Sequence, residues 1–129
     1  MIFETTFIKD VVVIRPKTFS DSRGYFRELT RSNVLVEHDL PNKFVQFNNS
    51  FSTKGVIRGM HYQLKNPQSK LVCATYGEIY DVIIDLRKSS STFGFKNSFW
   101  ACNDASNNFF TSFFAIPAKA NVKIVASSR

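Results

Sequence analysis

Several side chains between residues 20 and 85 are of the types that move protons or hold anions. His61 can serve as a general base, because an imidazole titrates near neutral pH. A structural histidine satisfied by its neighbours is the alternative, and Arg58, Gln63 and Lys70 close by in sequence argue for the functional role. Lys70 could polarise a carbonyl or stabilise an enolate by placing positive charge where negative charge develops. Its alternative is a solvated lysine at a strand edge. Asp81 stands in an otherwise apolar strand and is expected to pair with a cation, Lys70 being the first choice. Arg23 and Arg58 could grip a diphosphate through bidentate contacts. Surface solvation is their alternative and, for Arg23 taken alone, the better one. His38, between Glu37 and Asp39, reads as a solvated loop residue, and Cys73 as part of a strand core.

These residues need elements that aim them. Asp10–Pro16 is a β-branched run ended by proline, which predicts a strand. Phe19–Phe26 predicts a turn followed by an aromatic strand, and Ser32–Asp39 a short helix capped by Ser32 or Asn33. Lys43–Ser50 alternates, so a strand with Gln46 and Asn48 on one polar face is expected. Val56–Gln63 predicts another strand, in which Gly59 permits a bulge that brings Arg58, His61 and Gln63 to one wall. Lys70–Tyr76 and Ile79–Leu86 complete the set, with Asp81 on the same face as Ile79 and Ile83. Short strands separated by turn signals predict a sandwich or barrel. An interior lined by Gln, Asn, Arg, His, Lys and Asp is a pocket rather than a packed core.

Composition narrows the alternatives. The 129 residues are 43% hydrophobic, enough for one folded domain and too many for a disordered chain. No apolar run is long enough for a membrane span and no signal peptide is visible. Two cysteines, Cys73 and Cys102, are too few for a disulfide framework, so a cytoplasmic setting is expected. The sequence has no glycine-rich phosphate loop, no paired-cysteine metal motif and only two histidines. A net charge of +7 suits an anionic partner. The chain changes character near Asn97: residues 97–129 hold four of the 27 charged residues but five of the 14 phenylalanines and the one tryptophan. Strand-like pieces at Asn108–Ala115 and Asn121–Ala126 are weakly patterned.

Six segments together resemble one family: Asp21–Glu28, Phe44–Ser50, Lys54–Gln63, Lys70–Val72, Gly77–Val82 with Asp85–Lys88, and Ser91–Gly94. In order and spacing they resemble dTDP-4-dehydrorhamnose 3,5-epimerases of the cupin superfamily, over residues 7–96. The resemblance implies an all-β, cupin-like jelly roll, a homodimer, and no metal or organic cofactor. A metal-binding cupin would carry a second histidine two places after the first, and Gln63 stands there. The implied reaction inverts ring carbons beside the 4-keto group of a dTDP-sugar. His61 would be the base, Lys70 would stabilise the enolate oxygen, and Asp81 would orient Lys70. Arg58, Gln46 and Asn48 would line the sugar–diphosphate region. Arg23, Phe26 and Glu28 would hold the nucleotide, reaching into the partner subunit's site.

Residues 1–129 are expected to form a single cupin-like domain, family-like over 1–96 with a divergent tail over 97–129 and an incomplete C-terminal part. The family's second half supplies a tyrosine acid and an aspartate that pairs with the catalytic histidine. No tyrosine follows Lys96, and Asp104 has no matching context. Phe114–Asn121 echoes a family stretch, with Asn121 where a histidine would fall. Two expectations follow: an epimerase acting on a dTDP-4-keto-6-deoxy sugar, or an impaired relative that retains nucleotide binding or dimerisation. A basic barrel that binds nucleic acid ranks below both, because the charges fall at matched family positions rather than on one exposed aromatic face.

Overall fold

Val11 and Val13 join one apolar cluster while Val12 and Ile14 join another, as a strand with both faces covered must do. That alternation sets the layers. The structure is a computed structural model. It describes residues 1–103 throughout and the backbone of 113–116 and 123–127. The strands are β1 (Ile2–Thr5), β2 (Val12–Arg15), β3 (Thr18–Asp21), β4 (Gly24–Arg27), β5 (Ile57–His61), β6 (Lys70–Val72), β7 (Glu78–Ile84), β8 (Lys96–Cys102), β9 (Phe113–Ile116) and β10 (Lys123–Ser127). Among the described residues one helix, α1 (Ser32–Glu37), accompanies them.

One sheet runs β1-β2-β9-β6 and a second runs β5-β10-β7-β8, with antiparallel pairs throughout. Between them lies the core of Ile8, Val11, Val13, Ala74, Ile83 and Ala101, with Val72, Ile79 and Phe99 packed against it. Outside the first sheet, Leu35 of α1 packs with Ile14, joined by Phe3, Leu40, Phe44 and Leu71. The third sheet is the β3–β4 hairpin. Its two-residue turn pairs Asp21 with Gly24. Gly24 takes a φ of +130°, which a side chain would resist. The Asp21 carboxylate accepts the Arg23 N–H at 2.8 Å and fixes the turn.

Most expected strands are present in shortened form, but two expectations are corrected. Residues 43–50 form no strand: the segment has no ladder partner among the described residues, and Val45 and Phe47 are 99% and 87% exposed. Alternation along one segment cannot supply the neighbour that a ladder needs. Nor is α1 capped by Ser32 or Asn33. Arg31 is the N-cap, in extended conformation and without a side-chain cap bond. Ser32 instead meets Asn42, whose amide nitrogen lies 3.4 Å from its hydroxyl. His38 is exposed as expected, but its ring stacks on Phe3 with centroids 3.7 Å apart. β1 and β8 carried no clear pattern in sequence. β9 and β10 fall at the two weakly patterned tail pieces, whose remaining parts lie outside the described residues.

Candidate functional site

Gly59 makes the first site feature. Against β10, His61 stands opposite position 123 and Arg58 opposite position 125. Three steps along β5 thus match two along β10, which is a bulge between Arg58 and His61. Positions 123 and 125 share a face, so His61 and Arg58 share it too. Across β10 the same two positions pair with Ile83 and Asp81 of β7. His61 therefore lies in a row with Ile83 and Asn97, and Arg58 in a row with Asp81 and Phe99. Ile83 and Phe99 belong to the inter-sheet core, which identifies this as the inner face.

Asp81 is fully buried on that face. His61 and Arg58 are exposed, as is every residue of β5, so the wall beside the buried carboxylate is open to solvent. The Arg58 guanidinium donates to the Ser52 hydroxyl at 2.8 Å and to the Phe51 carbonyl at 3.1 Å. Gln63 lies past the end of β5, and its Oε1 is buried with no hydrogen-bond partner among the described residues. Lys70 comes from the other sheet. It opens β6, half-buried, two residues from Val72 and hence on the face that meets the inter-sheet core. None of the ion pairs among the described residues joins Lys70 to Asp81.

The remaining sequence-derived residues sit apart from this face. Gln46 donates to Asn48 at 3.2 Å on the exposed 43–50 segment. Arg23, Phe26 and Glu28 belong to the β3–β4 arm and its exit. Arg23 is exposed and paired with Asp21 at 2.6 Å, and Phe26 is exposed beside Phe19. Glu28 accepts from Arg31 Nε at 2.7 Å and from Arg31 Nη2 at 2.9 Å. Asp21, through its bonds to the Arg23 side chain and backbone, is held below the usual carboxylate range.

The sequence reading missed the polar network around Asp85. Asp85, fully buried, accepts from Arg87 Nε at 2.8 Å, from Arg87 Nη2 at 2.7 Å and from the Thr92 hydroxyl at 2.7 Å. Arg87 also reaches Asp10 at 2.7 Å and the Lys9 carbonyl at 2.8 Å. The adjacent guanidinium, aided by the Ser90 and Thr92 hydroxyls, outweighs desolvation and holds the Asp85 carboxyl far below its ordinary range. The signal was an Asp and an Arg two residues apart at a strand end, before a serine-rich turn. A cleft of about 340 Å³ lies here, lined by Lys9, Asp10, Arg87 and Ser89 to Ser91. Its arginine is already committed to two carboxylates, and none of the sequence-derived site residues lines it, so it is not the candidate site. No group of three or more His, Cys, Asp or Glu residues among those described could hold a metal ion.

Chemically, the inner face joins an accessible imidazole and guanidinium to a buried carboxylate, with an ammonium on the opposing sheet. A family model described as dTDP-4-dehydrorhamnose 3,5-epimerase matches residues 5–114. The enzyme of that name from Shigella flexneri is 50% identical over 91 residues, covering 69% of this chain and 50% of the relative. Its namesake from Methanothermobacter thermautotrophicus is 45% identical over 92 residues, covering 71% and 50%. The chain thus spans about half the length of these relatives. Among solved structures, an epimerase from Legionella pneumophila in complex with dTDP-4-keto-L-rhamnose is 35% identical with a TM-score of 0.86, covering 98% of this chain and 64% of that one. The Bacillus anthracis enzyme, with TDP and PPi bound, is 32% identical with a TM-score of 0.86, covering 98% and 70%. The fold shared with these structures is the all-β, cupin-like jelly roll. With its motifs in register and its strands superposing on these enzymes, the chain belongs to the dTDP-4-dehydrorhamnose 3,5-epimerase family.

Proposed function

We propose that this chain carries the sugar-nucleotide site of a dTDP-4-keto-6-deoxy-sugar 3,5-epimerase. The observation that supports this most is the β5 bulge, which sets His61 and Arg58 on the inner face with Asp81. His61, accessible at a strand end, takes the proton from the carbon beside the ketone. The electron pair moves onto the ketone oxygen, where the Lys70 ammonium offsets the enolate charge. Asp81, on the facing sheet, orients Lys70 once substrate is bound. A proton from solvent water then adds to the opposite face of the carbon and inverts it, the electron pair returns from the oxygen to that carbon, and His61 releases its proton to the resulting hydroxide. Arg58, Gln46 and Asn48 line the sugar–diphosphate region, and Arg23, Phe26 and Glu28 take the nucleotide.

The same proposal makes residues 1–129 one domain and pairs it with a second copy, in the cytoplasm and with no cofactor. Exposed Val45, Phe47, Phe51, Ile57 and Leu64 favour a covering partner. No helix among the described residues is long and apolar enough to cross a membrane. The test is incubation in deuterated water with dTDP-4-keto-6-deoxyglucose, following exchange at sugar carbons 3 and 5. Exchange that falls about 10²–10⁴-fold in His61→Ala is the expected result. Nucleotide binding without exchange overturns the catalytic half, and no dTDP binding overturns the whole reading.

A further inference from the structure

Asn103 stands just past β8, in the part of the chain where charge runs out, and no catalytic or binding role falls to it above. Its side chain nevertheless joins three segments distant in sequence. Its Oδ1 accepts from the Tyr25 hydroxyl at 2.6 Å and from Arg27 Nη1 at 3.2 Å. Its Nδ2 donates to the Thr75 carbonyl, and its backbone N–H donates to the Gly77 carbonyl at 2.9 Å. The amide orientation is forced, since a guanidinium can only donate and a carbonyl can only accept. Tyr25 and Arg27 both lie on β4, and the Arg27 guanidinium stacks on the Tyr25 ring at 4.8 Å. Arg27 Nε also donates to Thr18 of β3 at 2.8 Å, so both strands of the hairpin are tied into the same cluster. Thr75 and Gly77 lie in the connection from β6, which carries Lys70, to β7, which carries Asp81.

Among the described residues the hairpin forms a sheet of its own and shares no ladder with the two main sheets. Side-chain bonds therefore help to set its orientation, and Asn103 makes two of them at the body end. We propose that Asn103 is a positioning residue that locks the β3–β4 arm onto the body and thereby sets the chain's affinity for the dTDP moiety. The second half rests on the proposed function, in which the arm carries Arg23 and Phe26.

Two readouts separate the halves: amide hydrogen exchange of residues 18–27 by mass spectrometry, and dTDP titration by calorimetry. Asn103→Ala should speed arm exchange and weaken dTDP binding, each by about tenfold, the worth of roughly one hydrogen bond. Asn103→Asp keeps the oxygen that Tyr25 and Arg27 use but loses the donor to the Thr75 carbonyl, so it should recover part of both; a residue needed only for general stability would not be rescued this way. Tyr25→Phe, which removes one hydroxyl and leaves the turn intact, should show a smaller effect that vanishes in the Asn103→Ala background. It keeps the test decisive if Asn103→Ala does not fold. Unchanged arm exchange in both variants overturns the anchor, even where the native chain binds dTDP. Faster arm exchange in a chain that never binds dTDP supports the anchor and overturns the proposed function instead. Faster arm exchange with unchanged dTDP affinity overturns the link from arm to nucleotide.

Discussion

Asp81 and Asp85 lie four residues apart along one stretch of chain, both fully buried, yet they belong to different kinds of region. Asp85 takes its partners from its own turn: Arg87 two residues on and Thr92 seven residues on. Arg87 then carries the cluster out to Asp10 at the start of the chain. This is a staple that closes the β7–β8 connection, where the Asp85 N–H also donates to the Phe95 carbonyl and the Gly94 N–H to the Asp85 carbonyl. Asp81 stands mid-strand, flanked by Phe99 and, across β10, by the row of exposed Arg58. The same side chain at the same burial thus closes a turn where its own loop surrounds it, and lies on the inner face of a sheet, two strands from exposed β5, where it stands mid-strand.

The largest effect should come from breaking the staple. Asp85→Ala leaves the Arg87 guanidinium, 14% exposed, without its main partner. Loss of one member of a buried ion pair costs about 3–5 kcal/mol, to be read from urea denaturation. Asp81→Asn, which removes charge but keeps shape, should invert that pattern. It should slow deuterium exchange into the sugar by roughly 10²-fold while the denaturation midpoint stays much closer to native. A larger stability loss from Asp81→Asn than from Asp85→Ala would erase the distinction.

Acid sharpens the same comparison. Arg87, with the Ser90 and Thr92 hydroxyls, holds the Asp85 carboxyl below its ordinary range in the folded chain. Its stabilisation is complete above the unfolded carboxylate value near pH 4 and drains away as pH falls toward the lower folded value, by at most about 1.4 kcal/mol per pH unit. Stability measured between about pH 5 and pH 2 should therefore fall, and Asp85→Asn should flatten that slope. The smallest effect belongs to the exposed side of the molecule. Val45→Ser and Phe47→Ser should change monomer stability by no more than about 0.5 kcal/mol, and a shift in sedimentation toward the monomer would mark that surface as the subunit contact.

The geometry of the candidate site was legible to the extent that it was local. A glycine between Arg58 and His61 signals a bulge, and the bulge is what brings the two to one face. Asp81 in an apolar strand signals burial, and it is buried. The far partners of Arg87 and Asn103 were not legible, because Asp10 is 77 residues from Arg87 and Tyr25 is 78 from Asn103. Nothing in the pattern of either segment encodes the other.

Residue types and spacing alone determined the all-β class, the short helix, the turn at Asp21–Gly24 and the burial of the acid at position 81. These follow from preferences acting over a few residues: period-two burial, turn geometry and charge in an apolar run. Only the tertiary structure decided the pairing. It set β9 between β2 and β6 and β10 between β5 and β7, so the weakly patterned tail holds the centre of both sheets. It also left 43–50 without a strand partner among the described residues, despite the alternation there. The physical reason is that a ladder is a property of two segments. Its hydrogen bonds form where chain closure and core packing bring those segments together, and neither segment's own sequence contains that information.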